Sequence, residues 1–442
     1  MDPPSVVKSR RKTYSGTMNY IGSSQKYEKE LLERFLRYVK TYSESSSASA
    51  DKGIIPSTPQ QKEFAQMLAS EMVTVGLSDV QVTEYCYVYG MLPASDGCES
   101  MPAFCVLSHL DTVDEVSGKN VAPAVHEKYD GYVIKLAGSS ILDPAKDRAL
   151  AQAAAERDTI ITTDGRTLLG ADDKAGIAAI MTAVSYIASH TDIRHGKIEI
   201  LFSPDEETGH GMDKVPLARI ASKRAYTVDG GHIGQLETEC FNAVGTTVTF
   251  TGRASHTGDA RAAGMVNAVS MVSAFTANIP GRQTPETTDN REGFYAPLEM
   301  SGNMEKASVY LLLRDFTIPG IEERKKIVEK IAETVAATFG GTCEVTHKQQ
   351  YLNMKQKLDE HPEVVRDLEQ AYRNSGVEPV NTPIRGGTDG SRLTEMGIPT
   401  PNIFTGAHNY HSRTEWASLS QMGKAADIII NLARIVSGEH NA

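Results

Sequence analysis

The stretch Leu168-Leu169-Gly170-Ala171-Asp172-Asp173-Lys174-Ala175-Gly176-Ile177 organises the rest of the chain. An apolar pair runs into a glycine, then two adjacent carboxylates, then small residues that open a helix, so Asp172 and Asp173 stand at a strand-to-helix junction. Two acids this close repel one another unless a cation shares them. The same residues also read as a helix N-cap or a solvated turn, since Asp serves both. The neighbouring stretches bear on the choice.

Upstream, the nearly all-apolar run 103–107 predicts a central strand. It delivers Ser108-His109-Leu110-Asp111-Thr112 at its C-terminal end, where open α/β sheets place their sites. If the chain stays extended, the His109 imidazole can bind a metal while the Asp111 carboxylate supports it; a surface polar pair is the other reading. Downstream, a helix over 175–189 leads to a second apolar strand over 197–202, which ends in Ser203-Pro204-Asp205-Glu206-Glu207-Thr208-Gly209. Adjacent glutamates there can divide labour, one binding metal while the other takes a proton from water. Tyr226-Thr227-Val228-Asp229-Gly230-Gly231 repeats the pattern of strand, acid and turn, and Gly406-Ala407-His408-Asn409-Tyr410-His411 adds a strand-end histidine. Thus His109, Asp172, Glu207, Asp229 and His411 stand at the ends of separate β-segments of one α/β domain. Nitrogen and oxygen donors without a thiolate suit two Zn²⁺ ions sharing a carboxylate, in a catalytic rather than a structural site.

Composition sets the outer bounds. The 442 residues are 40% hydrophobic and 23% charged, the composition of a soluble globular protein of two-domain size. A net charge of −11 argues against nucleic acid or an anionic membrane as partner. No apolar run approaches the ~20 residues that a membrane-spanning helix needs. Cys86, Cys98, Cys105, Cys240 and Cys343 lack CxxC spacing and fit free thiols, so a cytoplasmic protein is expected. Residues 1–25 read as a flexible tail whose basic cluster is followed by no apolar segment.

Helical spacing of Tyr27, Leu31, Leu32, Phe35 and Val39 predicts a first helix, and Thr58-Pro59 with Gln61 predicts a capping box for the next, which Gly76 stops. Residues 80–87 alternate as one strand, and 119–142 read as an irregular excursion covering a site. From 241 to 350 the pattern changes. Antiparallel strands over 244–251 and 307–315 with helices over 265–279 and 321–339 make an inserted α+β lid with its own sheet. On it, His256 and Arg314 are candidate binders of an oxyanion and a carboxylate. The chain then returns to the first domain through a helix over 361–373. A glycine-rich loop over 384–390 follows, lacking the Lys-Ser/Thr of a P-loop, and an amphipathic helix Leu419–Val436 closes the chain. The expected division is a catalytic domain of 26–240 and 351–442 around a lid of 241–350.

Several runs also carry a resemblance: 108–112, 117–121, 161–177, 205–207, 226–231, Ile384-Arg385-Gly386-Gly387-Thr388-Asp389-Gly390 and Asn409-Tyr410-His411. They are similar, in order and across roughly 26–438, to the tripeptide aminopeptidases of the M20 metallopeptidase family. The resemblance implies a zinc-peptidase-like α/β catalytic domain with a central mixed sheet flanked by helices, interrupted by a smaller α+β lid. It implies release of the N-terminal residue from tripeptides by a water bridged between two Zn²⁺ per subunit, with pairing of subunits through the lid. Carried over, Asp172 bridges the ions, His109 and Asp229 hold one, Glu207 and His411 hold the other, Glu206 is the general base and Asp111 is the acid beside His109. His256 would meet the oxyanion, and Arg314 with Arg385 the peptide's terminal carboxylate. A cis bond is implied after Asp172. Where the family has His-Pro-Gly, this chain has His256-Thr257-Gly258. Dipeptidase, carboxypeptidase and deacylase chemistry share this architecture, and a peptide-binding protein that keeps metals without turnover is the non-enzymatic alternative; Glu206 speaks against the last, because binding needs no base.

Overall fold

The computed structural model describes residues 26–438; the tail expected over 1–25 lies outside them. An eight-stranded mixed sheet runs in the order Ser78–Val82, Val88–Leu92, Ile198–Ser203, Phe104–His109, Ala225–Gly230, Asn402–Phe404, Gln235–Cys240, Val380–Ile384. Phe104–His109 lies between Ile198–Ser203 and Ala225–Gly230 and runs parallel to both, so the C-terminal ends of three strands stand side by side. Their residues are buried along almost the whole length, as strands covered on both faces must be.

One face is covered by the helices Glu28–Val39, Gln60–Val75, Ala171–Ser189, Pro362–Asn374 and Leu419–Val436, which share one apolar core. Each fully buried Leu or Ile in it contributes roughly 1.5–3 kcal/mol. The other face is sealed by Tyr87, Leu107, Leu201, Met212 and Leu393. Ala171–Ser189 packs so closely on the sheet that a Cβ on Gly176 would lie 2.0 Å from the Val228 carbonyl oxygen. Leu419–Val436 was expected to be amphipathic, but its polar side is buried too. Asp427 accepts from Tyr27 Oη, Asn431 Nδ2 donates to Ser375 Oγ at 2.9 Å, and Gln421 Oε1 lies 3.0 Å from His408 Nε2.

A second sheet, Phe294–Gly302, Lys306–Asp315, Asn242–Thr251, Thr342–Tyr351, is antiparallel throughout. The helices Ala268–Asn278 and Ile318–Phe339 cover one of its faces around Val248, Phe275, Leu311 and Val328. Its outer strands went unread in the sequence. Most of their residues are at least partly exposed, so no sustained apolar run announces them.

Two local expectations fail. Residues 80–87 are not one strand, because the chain reverses between Ser78–Val82 and Val88–Leu92, with Cys86 in the left-handed region at φ 75°. The capping box does not form. Thr58 Oγ1 donates to the Glu44 carbonyl at 2.6 Å, and Gln61 Nε2 reaches Asp205 Oδ1 at 2.6 Å, so the pair that resembled a local cap serves long-range contacts. The excursion over 119–142 is partly ordered: Ala124–His126 pairs with Ile160–Thr162, which pairs with Trp416–Ser418, itself paired with Ala407–His408. That small sheet holds the loop carrying His411.

Candidate metal centre

His109 ends its strand with 2% exposure and lies in register with Ser203, so the loop after Ser203 begins beside it. Its Nε2 is 3.0 Å from Asp172 Oδ1 and 3.8 Å from Asp229 Oδ1. On the far side of Asp172, Oδ2 is 3.3 Å from His411 Nε2, which is also 3.0 Å from Glu207 Oε2. Asp172 therefore presents one oxygen to each histidine. Two donor groups result, His109 with Asp172 and Glu207, and His109 with Asp173 and Asp229, and within each the candidate atoms all lie within 4.8 Å of one another.

The backbone builds this arrangement. Asp172 and Asp173 break the helical geometry at the start of Ala171–Ser189, and the peptide bond between them is cis, as the family resemblance implies. Asp173 is turned inward, its Oδ2 accepting the His109 N–H at 3.3 Å and its Oδ1 the Gly176 N–H at 3.2 Å. Asp111, fully buried, accepts the N–H groups of Glu206 at 3.0 Å and Glu207 at 3.2 Å through its carboxylate, while His109 Nδ1 lies 3.1 Å from its backbone carbonyl oxygen and 3.4 Å from a carboxylate oxygen. One residue thus orients the imidazole and the glutamate loop together. Asp205 anchors the same loop from below, accepting the Ser57 N–H at 2.7 Å as well as Gln61.

Electrostatically the cluster is short of positive charge. Burial, then the charge of Asp173, raises the Asp229 carboxyl well above the usual range. Burial likewise raises Glu206, with Asp389, Glu207 and Asp111 adding repulsion. Glu207 is pushed up to about 7 by burial and Asp172. For Asp172 burial acts upward, but hydrogen bonds from His109 and His411 prevail and its carboxyl falls below the usual value. Hydrogen bonds to Asp172 and Glu207 raise His411 to about 11. Glu207 Oε1 is buried with no hydrogen-bond partner. Converging carboxylates with an unpartnered buried oxygen beside two imidazoles fit divalent cations, with donors of the hard-to-borderline kind.

Glu415 escaped the sequence reading. It is 1% exposed and accepts the N–H groups of Leu169 and Gly170, both at 2.8 Å, and of Asp172 at 3.0 Å. It ties the carboxylate junction to the His411 loop across more than two hundred residues of sequence. Only its position four residues after a strand-end histidine could have drawn notice. Asp389, in the glycine-rich loop, is buried under Ser203, whose Oγ donates to it.

The lid residues are placed differently. His256 is not joined to the cluster: its side chain is 81% exposed, and its Nδ1 accepts the Gly258 N–H at 3.2 Å. Arg314 is 8% exposed, donates to the Leu313 carbonyl at 3.2 Å and lies 5.4 Å over the Tyr351 ring. Tyr351 in turn sits on the glycine-rich loop, where a Cβ on Gly387 would lie 2.5 Å from its Cζ. Arg385 donates to the carbonyls of Asn290 at 3.0 Å, Glu292 at 2.9 Å and Thr288 at 3.3 Å, and to Thr288 Oγ1 at 2.8 Å, over the rings of Phe241 and Phe294. Phe294, under the Arg385 guanidinium, is the cross-strand neighbour of Arg314 in the lid sheet.

The model of Peptidase family M20/M25/M40 matches residues 161–435. The Peptidase T of Listeria innocua is 44% identical over 411 residues, covering 92% of this chain and 98% of the relative. The Peptidase T of Clostridium perfringens is 42% identical over 408 residues, covering 92% and 99%. Among solved structures, aminopeptidase PepT from Bacillus cereus superposes with a TM-score of 0.72 at 22% identity, covering 92% of this chain and 98% of that one. The YXEP protein of Bacillus subtilis, described as a dinuclear metal binding peptidase from the M20 family, gives a TM-score of 0.63 at 12% identity, covering 93% and 99%. Both likenesses are of fold.

Proposed function

From the membership of this chain in peptidase family M20/M25/M40, we propose that it is a tripeptide aminopeptidase that hydrolyses the first peptide bond at the cluster around Asp172. The observation that carries the chemistry is Asp172 itself, one oxygen toward His109 and the other toward His411. His109, Asp172, Glu207, Asp229 and His411 would hold two zinc ions per subunit, which when bound would supply Lewis-acid polarisation of the carbonyl and a water that ionises near neutrality. The domain division proposed is 26–240 with 351–442 as catalytic unit and 241–350 as lid, supported by the second sheet, whose last strand ends one residue further on at Tyr351.

Glu206 is the general base. Its backbone N–H is fixed by Asp111, its half-buried carboxyl lies among the carboxylates of Asp389, Glu207 and Asp111, and no hydrogen bond among the described residues occupies its side chain. It accepts a proton from the attacking water at a carboxylate oxygen and returns it to the leaving amine nitrogen. Asp111 acts through its neighbours, keeping the His109 ring and the 206–207 backbone in one geometry. His256 stabilises the oxyanion once the lid moves, since in this structure it is exposed. Arg314 reads the peptide's terminal carboxylate. Arg385 supports it, for its donors are taken by the lid carbonyls in this conformation. Reading a carboxylate at a fixed reach from the cluster sets the length preference. The five free cysteines suit a reducing cytoplasm. Among the described residues no helix is long and apolar enough to cross a membrane.

The test is product analysis with zinc-loaded protein on di-, tri- and tetrapeptides, each with a free or amidated C-terminus. The proposal expects the free N-terminal residue and a dipeptide from the tripeptide acid, with the other substrates much slower. Release of the C-terminal residue, or equal rates on dipeptides, would point to the carboxypeptidase or dipeptidase chemistry of the same fold.

A further inference from the structure

The chain passes between the two large sheets at 240–242 and again at 351–353, and Asn353 ties the two passes together. Its Oδ1 accepts the Cys240 N–H at 3.2 Å, and its own N–H donates to Asn242 Oδ1 at 3.0 Å. Beside this joint, two neighbouring parallel strands of the catalytic sheet, Gln235–Cys240 and Val380–Ile384, end side by side and hold one turn of the lid, residues 288–292. From the first strand, Glu239 accepts Arg291 Nη1 at 2.6 Å and Nη2 at 2.5 Å, a bidentate pair. From the residue after the second, Arg385 donates to the carbonyls of Thr288, Asn290 and Glu292. A carboxylate thus takes the turn's guanidinium while a guanidinium takes its carbonyls.

The clasped turn leads directly into the strand beside Arg314. Phe294 is in register with Arg314 on one side, and Ala243, the residue after the first pass, is in register with it on the other. The Arg314 backbone is therefore fixed on both flanks at the joint. Its side chain, 8% exposed, pairs with no carboxylate among the described residues. It lies over Tyr351, whose ring meets Gly387, two residues after Arg385. Burial pushes the Tyr351 hydroxyl up to about 12 against the Arg314 charge, and Glu206 adds to the rise, so this ring stands within electrostatic reach of the general base. His256 is placed otherwise. Asn242–Thr251 carries the chain ten residues, roughly 30 Å, away from the joint, and His256 comes after its far end. A swing of the lid about the joint moves His256 far and Arg314 little.

We infer that the clasp of Glu239 and Arg385 on the turn 288–292 sets how far Arg314 stands from the cluster, making Glu239 and Arg291 positioning residues for the choice of peptide length. The inference rests on the tripeptide aminopeptidase reading, in which Arg314 takes the terminal carboxylate. A fourth residue carries that carboxylate about 3.5 Å further from the scissile bond. A joint held by the clasp keeps Arg314 at the tripeptide distance, whereas a loosened joint lets it retreat to meet the longer chain.

The test compares kcat/KM for Leu-Gly-Gly, its C-terminal amide and Leu-Gly-Gly-Gly with the zinc-loaded enzyme and its Glu239→Gln, Arg291→Ala and doubly substituted variants. The Arg291 side chain is 60% exposed, so its removal leaves the core of the lid untouched. The tripeptide-over-tetrapeptide ratio should fall by roughly two- to thirtyfold in each single variant, the range for residues acting on a site they do not touch. The double variant should fall no further, because the two side chains act as one pair. Preference for the acid over the amide should persist, since Arg314 remains, and amide hydrogen exchange over 288–294 should quicken. A length ratio or an exchange rate unchanged in Arg291→Ala overturns the inference, and so do equal losses on both peptide lengths. Loss of the acid preference in that variant also overturns it, since the damage then lies in Arg314 itself rather than in its reach. A wild type with no preference for tripeptides overturns the tripeptide reading, and this inference with it.

Discussion

Replacing Glu415 with glutamine probes how the cluster is held without touching a residue that faces the substrate. Glu415 Oε2 accepts the N–H groups of Leu169 and Gly170, and Oε1 accepts that of Asp172. The amide keeps the size and one acceptor oxygen, so the Leu169 and Gly170 bonds can survive. Its NH₂ group then faces the Asp172 N–H, donor against donor. One charge-assisted hydrogen bond, worth about 1.5–3 kcal/mol, is lost, and a buried N–H is orphaned at about 1–3 kcal/mol more. Part of this appears as lower stability. The part that reaches Asp172 appears as weaker metal binding, expected at roughly ten- to a hundredfold, the range for partners that orient a ligand from behind. The assay is a competition titration of Zn²⁺ against a chromophoric chelator, alongside a denaturant melt of the metal-free protein. Glu415→Asp, one methylene shorter, should recover part of the metal affinity because it keeps both acceptor oxygens. Wild-type zinc affinity together with an unchanged melting midpoint in Glu415→Gln would show that the three N–H contacts do not position Asp172.

Glu206→Gln should retain full metal content while kcat falls by roughly 10²–10⁴, the loss expected when a general base is removed; activity within a few-fold of wild type would remove Glu206 from that role. Amidating the C-terminus of a tripeptide should lower kcat/KM by roughly thirty-fold or more, through loss of a charge-assisted contact worth about 2 kcal/mol or above, and Arg314→Ala should make the acid and the amide equal. Equal rates for the two substrates with wild type would shift length selection to the enclosed volume. Glu71 accepts from Arg34 at 2.7 Å, Arg37 at 2.5 Å and Tyr38 at 2.8 Å. Burial raises its carboxyl, but these bonds prevail and hold it below its usual value. Its stabilising effect is therefore present above the unfolded-state pKa and lost as pH falls through the lower folded one. Glu71→Gln should cost about 1.5–3 kcal/mol at neutral pH, the worth of a hydrogen bond to a charged group, because Arg34 and Arg37 lose a charged acceptor while Arg34 keeps Glu30 at 2.5 Å. Urea midpoints of the two proteins should converge on acidification; a constant gap would refute the assignment.

The parts of the fold that could be read from the residues are those where local pattern and tertiary role agree. Phe104–His109 and Ile198–Ser203 announced themselves because strands buried on both faces must be apolar throughout, and the polar residues that end them mark where burial stops. Strand ends brought His109, Glu207, Asp229 and His411 onto one short list, whereas Asp172, expected at a strand-to-helix junction, lies in the first turn of Ala171–Ser189 with no strand after Ile160–Thr162 leading into it; the structure sets the other four side chains around it. What escaped was non-local. Gln61 looked like half of a capping box because Thr58 and Pro59 precede it, yet its side chain is taken up by Asp205, 144 residues away, Oε1 accepting the Asp205 N–H at 3.2 Å and Nε2 donating to Oδ1 at 2.6 Å. Glu415 has no local signature, since its work is to collect N–H groups from a segment 243 to 246 residues distant. Asp173 looked like a second ligand or a cap and is turned into the protein, bonded to the His109 and Gly176 backbone, although one of its oxygens still falls within a possible donor group. The outer lid strands, Phe294–Gly302 and Thr342–Tyr351, are edges: the first does not alternate, and the second alternates only between exposed and half-buried residues.

The central claim is that Asp172 holds two metal ions at once, and metal stoichiometry tests it most directly. Wild type and Asp172→Asn, each dialysed against excess Zn²⁺ and then against buffer, are analysed for zinc per chain by plasma mass spectrometry, with circular dichroism confirming that both are folded. The account predicts two zinc ions per chain in wild type and loss of metal in the variant, because one carboxylate serves both positions. Two zinc ions retained at full occupancy in folded Asp172→Asn would contradict it.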